Sequence, residues 1–301
     1  MDRHGWFAQL AIAQTRAGAD PAMERFEGEG VRALIALAVA GAVVLLAGAA
    51  GFVLFVLTLV LLGNHTLWWR YPRSAIGVRP VPTALLEAVV LFLVGFLVVQ
   101  MIGALVEAIT GVSVMAGLIW LMPLVMLWPL ARGVRWDELR LALGWHRGEG
   151  VFKEISCGVA GYLAGLPLMG VGILIVLALT MLTQTQATHP IKDQLGIKSV
   201  WDAMALYLLA AVWAPLVEES VFRGALFHHM RQGAGIVASA ALTAFIFAVI
   251  HPQGFVGVPV LMALAVTFAL LREWRGSIIA SITAHALNNA FVVTLLVVLV
   301  S

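Results

Sequence analysis

The residues best suited to acid–base chemistry lie together in one part of a very apolar chain. Two adjacent carboxylates, Glu218 and Glu219, end an apolar stretch and are followed by Arg223. On a helix of 3.6 residues per turn, Glu219 and Arg223 share a face and can form an ion pair. Glu218 points about 100° away from Glu219 and is left free. A free carboxylate in a dry site suits a general base that takes a proton from water.

Two histidine-containing segments follow this carboxylate pair. Phe247 and His251 lie four residues apart at the end of an apolar stretch, and His285 and Asn289 lie four residues apart within the last one. A single histidine or asparagine inside a membrane helix is often structural, because it bonds neighbouring helices. Residues that suit acid–base, ligand or oxyanion work are rare in the rest of the apolar chain. We therefore expect Glu218, His251, His285 and Asn289 to form one site.

The elements that must position these residues are membrane helices. The chain has 301 residues, of which 62% are hydrophobic and 11% are charged, and its mean hydropathy is +1.00. Soluble domains carry about 25% charged residues. Unbroken apolar runs of about 18 residues or more, without alternation, favour spanning helices over a barrel. We predict an all-α, polytopic transmembrane helix bundle with eight spans, at 33–62, 84–109, 113–131, 154–183, 200–217, 236–251, 257–271 and 276–300.

A ninth crossing is the alternative, because the first span is long. As one helix, 33–62 measures about 45 Å, against a hydrocarbon core of about 30 Å. It could tilt, or break at Gly48–Gly51 into a hairpin. The basic stretches 1–32, 64–83 and 132–153 lie on one side of the membrane only if the first span crosses twice or re-enters. The loop 185–199 has only two lysines.

The sequence is predicted to have three parts. They are a cytosolic N-terminal segment, 1–32, transmembrane helices within 33–199 with a cytosolic loop at 132–153, and a catalytic transmembrane core, 200–301. We expect an amphipathic helix in the loop.

Composition limits the partners and the location. A net charge of +2 gives no support for nucleic-acid binding, and the single cysteine, Cys157, excludes an intrachain disulfide. The lipid bilayer is the expected surroundings of this integral membrane protein. Abundant Ala, Val, Leu and Gly favour a bacterial cytoplasmic membrane, while the oligomeric state stays open.

The ordered motifs resemble those of a known family. Glu-Glu-x-x-x-Arg at 218–223, Phe-x-x-x-His at 247–251 and His-x-x-x-Asn at 285–289 resemble, in order and spacing, the three motifs of the CPBP family. That family contains the CAAX prenyl endopeptidases of type II and the bacteriocin-processing or self-immunity proteases. The resemblance covers roughly 200–295, about one third of the chain, and it implies an intramembrane endopeptidase.

The resemblance also implies a role for each motif residue. Glu218 activates the attacking water, and His251 holds that water or binds a metal. His285 and Asn289 face the scissile carbonyl, and Asn289 stabilises the oxyanion. Glu219 and Arg223 form the ion pair that fixes the helix, and Phe247 has a structural part. Separately, Ser281, one turn before His285, is expected to orient its ring.

The site residues are compatible with a metal site and with a metal-free site. Glu218, His251 and His285 would form a His₂Glu set, which is a known catalytic zinc set. The compact His-Glu-x-x-His helix is absent from the sequence. The family has been described both as metalloproteases and as metal-free, glutamate-dependent proteases. Zinc is therefore one prediction and a cofactor-free site is the other.

Two other functions compete with the peptidase. The first is a non-catalytic membrane scaffold or immunity protein, in which the polar cluster only binds a partner. The second is a proton-coupled carrier with a Glu–His relay, although carriers usually show repeats that this sequence lacks. For the peptidase, the expected substrate is a prenylated CAAX protein if the host prenylates proteins, and otherwise a leader peptide, bacteriocin or membrane protein.

Overall fold

The computed structural model describes residues 21–67, 81–111, 114–185 and 200–300, and in these ranges the chain contains helices and no strand. In chain order the α-helices are α1 (Pro21–Gly63), α2 (Val81–Thr110), α3 (Met115–Leu118), α4 (Trp128–Ala131), α5 (Trp136–Leu143), α6 (Val151–Thr183), α7 (Val200–Tyr207), α8 (Ala214–Glu219), α9 (Phe227–Gly233), α10 (Ile236–Val249), α11 (Gly254–Arg275) and α12 (Ile279–Val300). A 3-10 helix, Ile119–Leu127, joins α3 to α4. The all-α prediction is confirmed.

The apolar helices begin near the predicted spans, but the one that begins at Val200 continues to Gly233, well beyond its predicted end at residue 217. Five are long and apolar enough to cross a membrane: Ala38–Gly63, Thr83–Thr110, Val151–Thr183, Val200–Gly233 and Gly254–Arg275. Three shorter apolar helices cover Ile119–Ala131, Ile236–Val249 and Ile279–Leu295. Length and composition alone support these assignments, so the total of eight crossings stays a prediction.

The helix α1 corrects one alternative. It continues from Pro21 to Gly63 as one helix, so the hairpin break at Gly48–Gly51 is wrong. An unbroken helix satisfies its own backbone in lipid, whereas a bend would expose unpaired peptide groups. The N-terminal 20 residues, the basic residues of 70–79 and the lysines of 185–199 lie outside the described residues, so the positive-inside argument is not tested there.

The chain divides into two compact units, Met1–Ala50 and Gly51–Ser301. The described part of the first unit is the beginning of α1. The second unit contains every motif residue. The three predicted domains differ from this division and stay a prediction.

The predicted amphipathic helix is present in the 132–153 loop. It is α5, which buries Leu139, Ala142 and Leu143 and exposes most of its other side chains. It ends at Gly144, whose φ of 78° is the left-handed conformation that commonly closes helices.

Close helix crossings surround the last two helices. A Cβ atom at Gly158 of α6 would lie 2.5 Å from the carbonyl oxygen of Ala280 in α12. One at Gly172 of α6 would lie 2.8 Å from the Cα of Val260 in α11. Only glycine allows backbones to approach so closely, as is common between membrane helices. The glycines of α6 therefore set the positions of α11 and α12.

Candidate active site

The carboxylate pair lies on a helix with two irregular turns. Glu218 and Glu219 end α8, and π-helical segments, Leu208–Trp213 and Ser220–Leu226, lie immediately before and after it. A π-helical turn contains an extra residue and frees backbone groups from the regular pattern. Such turns occur frequently at functional sites. The regular helix assumed from the sequence is thus interrupted on both sides of the pair.

Asn289 donates a hydrogen bond to the π-helical turn before α8, and Pro215 explains why that turn needs a donor. The amide of Ala214 donates to the carbonyl of Leu209, five residues back, and Pro215 has no N–H to donate. The carbonyl of Ala210 therefore lacks its next helical donor. Asn289 Nδ2 donates to this oxygen at 2.8 Å. A motif residue of α12 thereby holds the turn that leads into the carboxylate pair.

The predicted ion pair is present and fully buried. Arg223 Nη1 lies 2.8 Å from Glu219 Oε1, and both side chains are 0% exposed. Arg223 Nη2 also donates to the carbonyl of Ala265 in α11 at 3.0 Å. The guanidinium lies over the rings of Phe247 and Phe268, 4.7 and 5.0 Å from their centroids. Arg223 thus fixes Glu219 against α10 and α11.

Glu219 has a second contact that the sequence did not predict. Its Oε1 lies 3.0 Å from His285 Nδ1, which fixes the orientation of that ring. The ring also stacks on Phe268, with centroids 4.9 Å apart. The expected role of Ser281 is wrong, because its hydroxyl donates to the carbonyl of Ile278 instead. No polar signal in the sequence could have identified Phe268.

Glu218 lies between the two histidines. Its Oε2 is 3.7 Å from His251 Nε2 and 3.7 Å from His285 Nε2. These separations exceed a hydrogen bond, and among the described residues this oxygen has no hydrogen-bond partner. The opposite nitrogen of His251 bonds to the carbonyl of Phe247, which aims Nε2 at the carboxylate.

The site has a closed side and an accessible side. The side chains of Glu219 and His285 are 0% and 3% exposed, while those of Glu218 and His251 are 24% and 20% exposed. The structure therefore brings together four of the predicted residues, Glu218, Glu219, His251 and His285. Asn289 lies one turn after His285 on α12. It donates to the carbonyl of Ala210, in the π-helical segment before α8, and accepts a hydrogen bond from Asn288.

A second arginine supports the π-helical turn that follows the pair. Arg272 of α11 is fully buried, and its Nε donates to the carbonyl of Arg223 at 3.4 Å. Its Nη2 donates to the carbonyl of Ala142 in α5 at 3.0 Å, and its Nη1 to that of Gly276. A charged residue inside an apolar run could have identified Arg272 from the sequence, but Arg272 was not predicted.

The donor set of the site has the composition of a catalytic zinc set. The arrangement is less suited, since no group of three or more His, Cys, Asp or Glu side chains in the described ranges could hold a metal ion. We therefore derive no step through a metal, and the zinc set stays a prediction.

Comparison with known proteins identifies the segment that carries these motifs. Residues 200–291 match the family described as Type II CAAX prenyl endopeptidase Rce1-like. No curated protein and no solved structure gave a match to the chain. The matched segment begins with α7, contains all three motifs and ends two residues after Asn289, and it covers less than half of the chain. Over residues 200–291, the predicted membership of the CPBP family is therefore confirmed.

Proposed function

We propose that this protein is an intramembrane endopeptidase that uses Glu218 to activate water against a peptide bond. One observation carries the proposal. A carboxylate oxygen with no hydrogen-bond partner in the described ranges lies 3.7 Å from each of two histidine nitrogens. The match of residues 200–291 to a prenyl endopeptidase family supports the same reaction class.

The first step is proton transfer from water to Glu218. A water molecule that donates to Oε2 would also be within reach of His251 Nε2, which holds it in place. The nucleophilic oxygen attacks the scissile carbonyl carbon while its proton moves to the carboxylate. General-base catalysis of this kind contributes about 10²–10⁴-fold to a rate.

The second step is collapse of the tetrahedral intermediate. The C–N bond breaks, and Glu218 returns the proton to the leaving amine. Glu218 thus acts first as base and then as acid, and it ends each cycle as a carboxylate.

The oxyanion requires donors on the opposite side of the carbonyl. Asn289 uses one N–H for Ala210, and an amide nitrogen carries two, so one donor is left. His285 donates from Nδ1 to Glu219, which fixes the orientation of its ring beside the proposed position of the carbonyl. Glu219 is therefore a positioning residue for His285.

A zinc-dependent route is the alternative within the same reaction class. Glu218, His251 and His285 would have to rearrange from the positions in this structure to bind the ion, which would supply Lewis-acid activation of water or of the carbonyl. A strong chelator separates the two routes, because the metal-free site keeps its activity.

The proposed substrate is a peptide that reaches the site from the membrane. Of the two accessible residues, Glu218 belongs to an apolar helix and His251 lies two residues after the end of another, α10. A substrate anchored in lipid is therefore favoured over a free soluble peptide. A prenylated protein, a leader peptide and a membrane protein all have this property. The proposed location is a bacterial cytoplasmic membrane.

The test is cleavage of a panel of quenched fluorescent peptides by the purified full chain in detergent. Wild type, Glu218→Ala and Glu107→Ala are compared, each with and without chelator. Glu107 is an exposed carboxylate of α2 and provides the matched control. We expect cleavage to be lost only in Glu218→Ala.

Equal cleavage by wild type and Glu218→Ala, with both folded, would reject the mechanism. If neither the wild type nor any variant cleaves lipid-anchored or free peptides, the scaffold or immunity function is favoured instead.

A further inference from the structure

A cavity separate from the carboxylate–histidine cluster lies beside α8. Its volume is about 630 Å³, within the about 300–1,000 Å³ that is usual for small-molecule sites. Leu216, Val217 and Ser220 line it, and these residues flank the carboxylate pair. Glu218, His251 and His285 do not line it. The cavity is thus a neighbour of the candidate active site and not a part of it.

The polar atoms that line this cavity are mostly bonded within the protein. Trp145 Nε1 donates to Ser220 Oγ at 2.9 Å, and that hydroxyl donates to the carbonyl of Leu216 at 2.7 Å. His146 bonds through Nε2 to the carbonyl of Gly276 and through Nδ1 to the amide of Gly148. The remaining lining is largely aliphatic and aromatic. The interior of the cavity therefore suits an apolar chain.

Arg147 gives the cavity one positive charge. It is exposed and lines the cavity. Three other cations of this region have carboxylate partners: Arg132 pairs with Glu87, Arg140 with Asp137 and Lys153 with Glu149. In the described ranges, Arg147 has no such partner. Its guanidinium is therefore available to an anion at the end of the apolar cavity.

We infer that this cavity binds an anionic phospholipid, with an acyl chain in the apolar interior and the phosphate at Arg147. An apolar chain that ends in an anion matches both parts of the lining. Two elements that line the cavity, α6 and the helical stretch Val200–Gly233, are long and apolar enough to span a membrane, where such lipids are abundant. A basic residue near a membrane surface attracts anionic lipid by about 1 kcal/mol.

The test is a titration of the full-length protein in detergent with a phosphatidylglycerol whose acyl chain carries a polarity-sensitive fluorophore. Phosphatidylcholine with the same labelled chain is the comparison lipid. Arg147→Gln removes the charge, and Arg135→Gln, in the same loop but outside the cavity lining, is its matched control. Val151→Trp fills the cavity from α6, and Val159→Trp, on the same helix outside the lining, is the control for the added bulk.

We expect saturable phosphatidylglycerol binding that weakens about fivefold in Arg147→Gln, which corresponds to about 1 kcal/mol. Val151→Trp abolishes the saturable phase, and both controls bind as wild type does. Equal affinity for the two lipids would overturn the proposal, as would equal effects of Arg147→Gln and Arg135→Gln. If Val151→Trp binds normally, the lipid lies elsewhere. None of these outcomes depends on peptide cleavage.

Discussion

Two apolar helices of this chain, α1 and α11, have similar hydropathy and different surroundings. Within their most apolar windows, 6% of the α1 stretch Ala38–Gly63 is buried inside the protein, against 50% of α11. The α1 window contains no charged residue, whereas α11 buries Arg272, Glu273 and Arg275 near its end. Hydropathy identifies both as membrane helices. Buried polar groups, and not apolar length, indicate which of them supports the chemistry.

The sharpest test of whether the polar cluster supports the chemistry changes one carboxylate inside the cluster and one on an exposed helix face. Glu218→Gln keeps the shape of the side chain and removes the base, so we expect cleavage to fall by about 10²–10⁴-fold. Glu107→Gln, on the exposed face of α2, leaves cleavage unchanged. Initial rates on the best peptide of the panel provide the measurement. Equal losses in the two variants would mean that the site does not depend on the buried cluster.

Variants of the buried Glu219–Arg223 pair should distinguish its contribution to stability from its role in positioning His285. Glu219→Gln alone leaves Arg223 as an unpaired buried charge, and breaking such a pair costs about 3–5 kcal/mol. The double variant Glu219→Gln with Arg223→Met removes both charges and recovers much of that loss, because apolar replacements of buried pairs are often tolerated. Thermal unfolding in detergent measures both effects.

Cleavage by the same double variant tests the second contact of Glu219. The ring of His285 no longer has a carboxylate at Nδ1, so cleavage stays low although stability returns. A double variant that regains full activity would show that Glu219 serves only the fold.

Glycine substitutions compare close and open helix surfaces. A Cβ at Gly158 meets the backbone of α12, and overpacking of this kind costs about 1–3 kcal/mol. Gly170→Ala on the same helix and Gly48→Ala on α1 meet nothing within 4 Å. These two should be neutral or slightly stabilising, because alanine favours a helix more than glycine does. Unfolding temperatures rank the three variants, and equal values would contradict the close crossing of α6 and α12.

The smallest expected effect concerns the loop before α6. Partial burial, together with the nearby Arg272 guanidinium, lowers the pKa of His146 from its ordinary value of 6.5. The folded state therefore favours the neutral ring. Its contribution to stability is complete above about pH 6.5 and is lost as the pH falls toward the lowered pKa. His146→Gln should reduce the loss of unfolding temperature between about pH 7.5 and about pH 5.5. An unchanged pH dependence would assign that loss to other groups.

The spacing of residues along the chain was sufficient to predict part of the candidate active site. The four-residue interval predicted the Glu219–Arg223 pair, and the polar residues within apolar runs predicted that Glu218, His251 and His285 converge. The contact between Glu219 and His285 was not predictable, because it depends on how α8 packs against α12. Phe268 gave no signal, since it resembles the phenylalanines of any membrane helix, whereas Phe247 was indicated by its spacing to His251.

The backbone of the site was harder to predict than its side chains. Sequence periodicity assumes 3.6 residues per turn, so it could not reveal the π-helical turns on either side of α8. The small residues of α1 suggested a hairpin, but Ala and Gly are also tolerated inside a helix that has no alternative partner for its backbone. Pro215 carried part of the information. Its missing N–H predicts a free carbonyl in the preceding turn, and the π-helical spacing makes that carbonyl the one of Ala210.

That carbonyl makes two distant positions interdependent in evolution. While residue 215 is proline, Asn289 has a structural role in addition to its proposed catalytic one. Its loss then affects both the stability of the fold and the proposed activity. If residue 215 first changed to an amino acid with an N–H, the carbonyl of Ala210 would gain a donor from its own helix. Asn289 could then be replaced with less damage to the fold. The order of substitutions at these two positions thus determines which sequences remain accessible to this protein.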